Sequence, residues 1–401
     1  VPAAADVTHN KIKDIAFHVP HRAAGEAANI AEVLSSSRLM SGGKFSTAVE
    51  ARMASLTGAE KVYLTHSCTG AMEAALLALG IGPGDEVIVP TFTFAATATA
   101  VLRTGAKPVL CDVDALSLMV DISHVEARLT ARTKAIMVVH YGGAIADMAP
   151  IVQLAGRKGI AILEDAAQGL GATRDGRHAG TFGMFGAISF HDTKVAGCGH
   201  GGALLCNTGD AKLMRRLEQI LNRGTDFADK LAGRVSYYQW VSQGSHLRLG
   251  ELEAAVIAAQ LDELPSNLAR RREIAQEYAA RLGDACNTWR FVAGNTAAGS
   301  NHHIFGLLAQ SPDIAAMLLR QARKAGIQVE THYAPLHVSP FARQSGLDRP
   351  DCPGGASVWS KLVRLHVHTS MSLDDVLRVT DFLAGFAGKH EKSGRASQLA
   401  G

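Results

Sequence analysis

Seven short apolar runs punctuate the first half of the chain, at 61–67, 86–90, 107–113, 135–140, 161–165, 185–191 and 201–207, with Ala/Leu-rich stretches between several of them. Their hydrophobicity is continuous rather than alternating, which predicts strands buried on both faces, as in a mostly parallel sheet sandwiched by helices. Turn chemistry separates the units: Gly82-Pro-Gly-Asp85, Arg103-Thr-Gly105, Gly156-Arg-Lys-Gly159 and Gly197-Cys-Gly-His-Gly-Gly202. The last run has the look of a dinucleotide fingerprint, but it lies between two strand-like runs instead of opening a helix. It reads as a hairpin-like turn.

A helical stretch at 249–264 ends at Pro265, and a charged helix begins near Leu268, so a domain boundary is expected there. Beyond it, runs at 301–308, 314–325, 327–332 and 373–386 predict a smaller α/β domain. The expected organisation is an N-terminal segment packing with the small domain (1–44), a large domain (45–265), a small domain (266–387) and a frayed polar tail (388–401).

Composition supports this picture and narrows the function. The chain has 401 residues, 47% of them hydrophobic, enough for a substantial core. Its 40 basic and 37 acidic residues nearly balance, and no basic run interleaves with aromatics, so nucleic acid is not an expected partner. No apolar run approaches the ~20 residues that span a bilayer. The six cysteines lie far apart, as free thiols in a reducing compartment do, and a cytoplasmic protein is expected. The 17 histidines show no metal-ligand spacing, and no metal is expected.

Three strand ends carry candidate chemistry. The run 61–67 leads into Ser67-Cys-Thr-Gly70 and a helix at 71–79. The run 161–165 delivers Glu164-Asp-Ala-Ala-Gln168. The run 185–191 leads to Ser189-Phe-His-Asp-Thr-Lys194. In that order they offer a phosphate cradle, a carboxylate and an amine, the partners that pyridoxal phosphate needs: donors at a helix N-terminus for the phosphate, an acid to keep the ring nitrogen protonated, and a lysine to form a Schiff base. Each part alone has a plainer reading. Lys194 could be a solvated surface charge, Asp165 and Ser67 helix caps, Gln168 a loop amide. Phe94 in Pro90-Thr-Phe-Thr-Phe94 could stack on the ring or fill the core.

Taken together, Ser67-Cys-Thr-Gly70, Gly82-Pro-Gly-Asp-Glu-Val-Ile-Val-Pro90, Val139-His-Tyr-Gly142, Glu164-Asp-Ala-Ala-Gln168 and Ser189-Phe-His-Asp-Thr-Lys194 closely resemble the DegT/DnrJ/EryC1/StrS sugar aminotransferases. The resemblance implies the aspartate aminotransferase-like fold of pyridoxal phosphate enzymes, with pyridoxamine phosphate as the intermediate form. Leu64-Thr-His-Ser-Cys-Thr69, Arg223-Gly-Thr-Asp226 through Tyr238-Gln-Trp240, and Thr331-His-Tyr-Ala-Pro-Leu-His337 are most similar to members that aminate dTDP-4-keto-6-deoxyglucose at C4. Those members use L-glutamate and are homodimers with active sites at the interface. Carried over, Lys194 holds the cofactor, Asp165 pairs its ring nitrogen and Gln168 lies near the ring. Phe94 stacks, Ser67, Thr69, Gly70 and Ser189 contact the phosphate, and His332, Tyr333 and His337 contact the sugar substrate. Many relatives have an Asn reaching the partner subunit's phosphate where this chain has Arg248, so that contact is either a longer, charged ligand or absent. Relatives with histidine in place of the lysine dehydrate their substrate, a branch that Lys194 argues against. A 3-keto sugar nucleotide, a keto-cyclitol, and a catalytically silent sensor are the alternatives.

Overall fold

The apolar runs become one mixed sheet. In a computed structural model, which describes residues 14–283, 286, 288–347 and 351–398, the strands are β1 (Lys61–Thr65), β2 (Glu86–Pro90), β3 (Lys107–Cys111), β4 (Thr133–Val139), β5 (Ala161–Asp165), a two-residue hairpin of β6 (Thr173–Arg174) and β7 (Arg177–His178), β8 (Phe185–Ser189) and β9 (Gly202–Cys206). The main sheet has the order β1-β9-β8-β5-β4-β2-β3. Neighbours from β8 to β3 are parallel, while β9 runs antiparallel to both β8 and β1. Every residue of β2, β8 and β9 is buried. Alternate residues feed two separate apolar cores: Ile88, Val138 and Ile188 on one face, Val89, Met137 and Ala187 on the other. Continuous hydrophobicity thus reflects burial between two helix layers.

A second sheet, β10 (Trp289–Phe291), β11 (Phe305–Ala309) and β12 (Leu362–Leu365), is antiparallel and encloses a third core with the helices Pro312–Lys324 and Leu373–Gln398. The stretch 327–332, expected as an element of this domain, forms only isolated bridges, Ile327 with Ile15 and Glu330 with Arg364. One residue of pairing on each side leaves an extended strap instead of a ladder. The last helix runs on to Gln398, through most of the segment expected as a tail; 399–401 lie outside the described residues.

Pro265 opens a helix rather than closing one. The helix Glu251–Asp262 stops, and Leu264–Leu282 starts at once with Pro265 in its first turn, where a missing N–H costs nothing. Of the N-terminal segment, residues 1–13 lie outside the described residues. Ile15 enters the small-domain core, whereas the helix Glu26–Ser35 lies on Glu251–Asp262, with the Asn29 amide donating to the Ala255 carbonyl at 3.1 Å.

Candidate active site

Parallel strands β2, β4, β5 and β8 end on the same edge of the sheet, where open α/β sheets gather their ligands. A cavity of about 600 Å³ opens there, between the large domain and the small-domain strand β12. Ser67, Thr69, Phe94, Asp165, Gln168, Ser189, Lys194, His332 and Tyr333 all line it. Gly70 stands behind them: its N–H donates to the Ser67 hydroxyl at 3.0 Å, capping the helix Cys68–Ala78 whose N-terminus faces the cavity.

Besides Gly70, two of the residues singled out from sequence do not reach this wall. Arg248 is held within its own subunit: an Nη donates to Glu50 at 2.8 Å, and the guanidinium lies 5.1 Å from the Tyr63 ring centre. His337 is buried 2.6 Å from the Thr91 hydroxyl, one layer behind the cavity.

Asp165 is the lone acidic side chain on the lining, and it is buried and oriented. The Thr97 hydroxyl donates to one carboxylate oxygen at 2.7 Å and the Ala167 N–H to the other at 3.2 Å. Thr97 itself carried no signal in the sequence; it is one threonine of a helix, Ala95–Arg103, that happens to face β5. Beneath the carboxylate, His140 and Glu164 form a fully buried pair at 2.6 Å. The Ala146 N–H donates to His140 Nδ1, so Nε2 carries the proton toward Glu164, which also accepts from the Gly180 N–H at 2.8 Å. Both residues sit inside motifs quoted above, but only the register of β4 against β5 brings them together.

Lys194 hangs from the connection between β8 and β9, its amide donating to the His191 carbonyl at 2.8 Å. Loss of hydration holds its amine below the usual lysine value, and Arg364 adds to this, against the opposing pull of Cys68 and Asp165. Burial, with help from Asp165, keeps the Cys68 thiol protonated, well above its ordinary value. The second of the two glycines closing the connection is required by proximity. A Cβ on Gly202 would lie 2.4 Å from the Ser67 carbonyl carbon and the Cys68 nitrogen, so its absence lets β9 support the helix N-terminus.

His332 and Tyr333 close the far side as a stacked pair, rings 4.1 Å apart and 9° from parallel. Tyr141 lies 2.8 Å from His332 Nδ1, and the Gln168 amide donates to the Tyr333 hydroxyl at 3.3 Å. Loss of hydration pushes His332 down to about 2, and Arg364 and Lys194 add to the shift. His302 and His366 are likewise lowered to about 4, chiefly by burial. These three histidines fold neutral, while in the unfolded chain they titrate near ~6.5. Their stabilising neutrality is complete above ~6.5 and is lost as pH falls toward their folded values, because the unfolded chain then takes up protons the native state refuses. Melting curves from pH 8 to pH 5 should show the midpoint falling across that interval; a flat or rising midpoint contradicts the assignment.

The residues fit pyridoxal phosphate. Hydroxyls of Ser67, Thr69 and Ser189 and a helix N-terminus supply donors for a phosphate, Asp165 is aimed by two donors of its own, and the lysine amine is kept easy to deprotonate. Fold and site define a pyridoxal phosphate-dependent transferase built on a lysine. The chain belongs to the DegT/DnrJ/EryC1/StrS aminotransferase family, whose profile matches residues 20–384, and it is a pyridoxal phosphate-dependent sugar aminotransferase. It is 32% identical over 358 residues to the spore coat polysaccharide biosynthesis protein SpsC of Bacillus subtilis (strain 168), covering 88% of this chain and 91% of that one. Among solved structures it is similar to S. venezuelae DesV, with 34% identity and a TM-score of 0.81 over 90% of this chain and 94% of that one. It is also similar to the PMP-form of the sugar aminotransferase Spr1654 from Streptococcus pneumoniae, with 25% identity and a TM-score of 0.87 over 96% of this chain and all (100%) of that one. Among the described residues no helix is long and apolar enough to cross a membrane, and no group of three or more His, Cys, Asp or Glu side chains could hold a metal ion.

Proposed function

We propose that the protein moves the amino group of L-glutamate to C4 of a nucleotide-linked 4-keto-6-deoxy sugar, dTDP-4-keto-6-deoxy-D-glucose, giving a dTDP-4-amino-4,6-dideoxyhexose and 2-oxoglutarate. The observation that carries the chemistry is the meeting of Lys194, Asp165 and the Ser67, Thr69 and Ser189 hydroxyls on one cavity. The sugar assignment is supported by the His332–Tyr333 wall, which presents a flat polar-edged surface of the kind that packs on a sugar ring, and by the motifs around 64–69 and 331–337.

When bound, pyridoxal phosphate supplies the electron sink for the carbon that loses its proton. The chain's own residues do the rest. Lys194 Nζ, unprotonated at little cost because burial already disfavours its charge, takes the proton from the donor's carbon and returns one to the acceptor's carbon. Asp165, oriented by the Thr97 hydroxyl and the Ala167 N–H, would pair with the ring nitrogen and keep it protonated. Gln168, anchored by its carbonyl on the Gly142 N–H at 2.7 Å and donating to the Tyr333 hydroxyl at 3.3 Å, would hold a fixed amide toward the cofactor. Burial of Tyr141 and His332 keeps both neutral, so neither competes with Lys194 for protons.

A homodimer with its sites at the interface completes the reading. Its support is the apolar segment around 231–241, where Leu231, Tyr237, Tyr238, Trp240 and Val241 are all exposed, the kind of clustered apolar surface that a partner covers. In that assembly Arg248 would act toward the partner's site only by giving up its Glu50 bond. A cytoplasmic location is supported by six cysteines that are all free thiols.

The test supplies cofactor-loaded protein and L-glutamate with dTDP-4-keto-6-deoxy-D-glucose, a 3-keto sugar nucleotide and a keto-cyclitol in turn, and reads the products by NMR. The expected product is an amine at C4 of the first. Turnover of only the other ketones overturns the substrate, and no amine from any of them overturns all three substrate readings.

A further inference from the structure

The family profile begins at residue 20, yet two residues that precede it stand on the cavity wall, Phe17 and His18. They belong to an arm whose start is held by the small domain. Ile15 is buried in the third core, its N–H donates to the Gly326 carbonyl at 2.8 Å, and its carbonyl accepts from the Gln328 N–H at 3.1 Å. His368 Nε2 lies 3.2 Å from the Ala16 carbonyl, and the Phe17 N–H donates to the Gln328 side-chain oxygen at 3.1 Å. Three residues past His18 the arm is tied down again. His21 Nε2 lies 2.9 Å from Glu263, between the helices Glu251–Asp262 and Leu264–Leu282, and Nδ1 lies 3.0 Å from the Thr369 hydroxyl.

Between those anchors the arm makes one contact that leads to the chemistry. His18 Nε2 donates to the Asp192 carbonyl at 2.9 Å. A carbonyl only accepts, so Nε2 carries the proton, and burial lowers the ring's affinity for a second one, against the opposing pull of the Asp192 carbonyl. Asp192 stands two residues before Lys194. The connection that carries the lysine closes on itself at its ends, from the Phe190 N–H to the Gly201 carbonyl at 2.9 Å and from the Asp192 N–H to the Gly199 carbonyl at 3.1 Å. Two side chains from outside then grip it on either side of the lysine. The Asn267 amide donates to the Val195 carbonyl at 2.9 Å just after Lys194, and His18 holds Asp192 just before it. The Arg22–Asp192 ion pair, 3.8 Å apart and largely exposed, adds little to that grip.

We propose that His18 is a positioning residue for Lys194, acting through the Asp192 carbonyl, and that the arm 15–18 is therefore a working part of the active site. A lysine that must meet a fixed cofactor carbon, and then move a proton at two different substrates, needs its backbone held on both sides, because small misplacements of a reacting group cost large factors in rate. Without the grip at Asp192 the amine swings toward the open mouth of the cavity, where His191, Thr193 and His200 are exposed. His18 holds backbone rather than substrate, so its loss falls on kcat more than on KM. The inference rests on the aminotransferase reading and adds to it a requirement that lies outside the segment matched by the family.

Variants of the full-length, cofactor-loaded protein test this. His18→Leu removes the donor, whereas His18→Gln keeps one, its amide nitrogen standing where the imidazole Nε2 stood. In the Leu variant kcat for amino transfer from L-glutamate should fall about 10- to 100-fold, with KM held within about threefold. The Gln variant should recover to within about threefold of wild type, since it restores the hydrogen bond. A second measurement does not depend on turnover. Burial and Arg364 disfavour positive charge at the lysine nitrogen, against Cys68 and Asp165, so a nitrogen freed toward water holds a proton more readily. The pH midpoint of the holoenzyme's visible absorption change should therefore rise by about half a pH unit or more in the Leu variant and stay in place in the Gln variant. If the Leu variant fails to fold or to hold the cofactor, His18→Asn carries the comparison with the same expected signs, because its shorter amide falls short of Asp192. An unchanged kcat, an unchanged midpoint, or a Gln variant as impaired as the Leu variant each overturn the assignment. Wild-type protein that forms no amine with any amino acid would instead sink the aminotransferase reading itself, independently of His18.

Discussion

Lys194→Ala reduces amino transfer by about 10⁴-fold or more, while the protein stays folded. One side chain carries two tasks that nothing else on the lining can share, covalent attachment and movement of the proton at the reacting carbon, and each is commonly worth 10²-fold or more. The other titratable groups near it are disqualified by their surroundings. Burial holds the Cys68 thiol protonated and keeps His332 neutral and a poor base. Folding should survive because Lys194 lies in a connection whose own backbone bonds, from the Lys194 N–H to the His191 carbonyl at 2.8 Å and from the Phe190 N–H to the Gly201 carbonyl at 2.9 Å, do not involve its side chain. The measurement pairs single-turnover kinetics with visible absorption. Wild type should show a band that shifts when L-glutamate is added. The variant should lack both the wild-type band and the shift, with a melting midpoint within a few degrees of wild type. Residual transfer within about tenfold of wild type would move the covalent role to another amine.

The sheet was legible because parallel strands under two helix layers have nowhere to place polar residues. The runs at 86–90 and 161–165 match β2 and β5 residue for residue, and only the ends of the others moved by one or two positions. The small domain was less legible: 327–332 begins with the alternation of a strand, Ile327 and Val329 between polar residues, yet it pairs only at Ile327 and Glu330. Residues that act through a strand end, such as Asp165 and Lys194, announce themselves by position. Thr97 does not, since its value comes from the aspartate that the fold sets opposite it. Arg248 shows the reverse: a residue in a suggestive place whose guanidinium the fold has engaged with Glu50 and Tyr63.

Asp165→Asn should keep the cofactor and lose about 10²- to 10³-fold in turnover, the usual weight of a group that sets a proton's position in the transition state. The substitution is nearly isosteric, and the loss follows from charge. An amide cannot hold a proton on the ring nitrogen, and its NH₂ must face either the Thr97 hydroxyl or the Ala167 N–H, both of which now donate to Asp165. Thr97 can relax by turning toward Thr93, whose hydroxyl is 2.8 Å away, so the site should repack without unfolding. Thr97→Val separates orientation from charge: it removes one donor but keeps the anion, and turnover should fall only about tenfold, the value of a single hydrogen bond to a charged group. Rate constants for the glutamate half-reaction in the three proteins decide it. The ordering wild type, Thr97→Val, Asp165→Asn is what an aimed carboxylate requires. Near-normal turnover in Asp165→Asn would hand its part to a different residue, and a Thr97→Val loss as large as that of Asp165→Asn would mean that aim matters as much as charge.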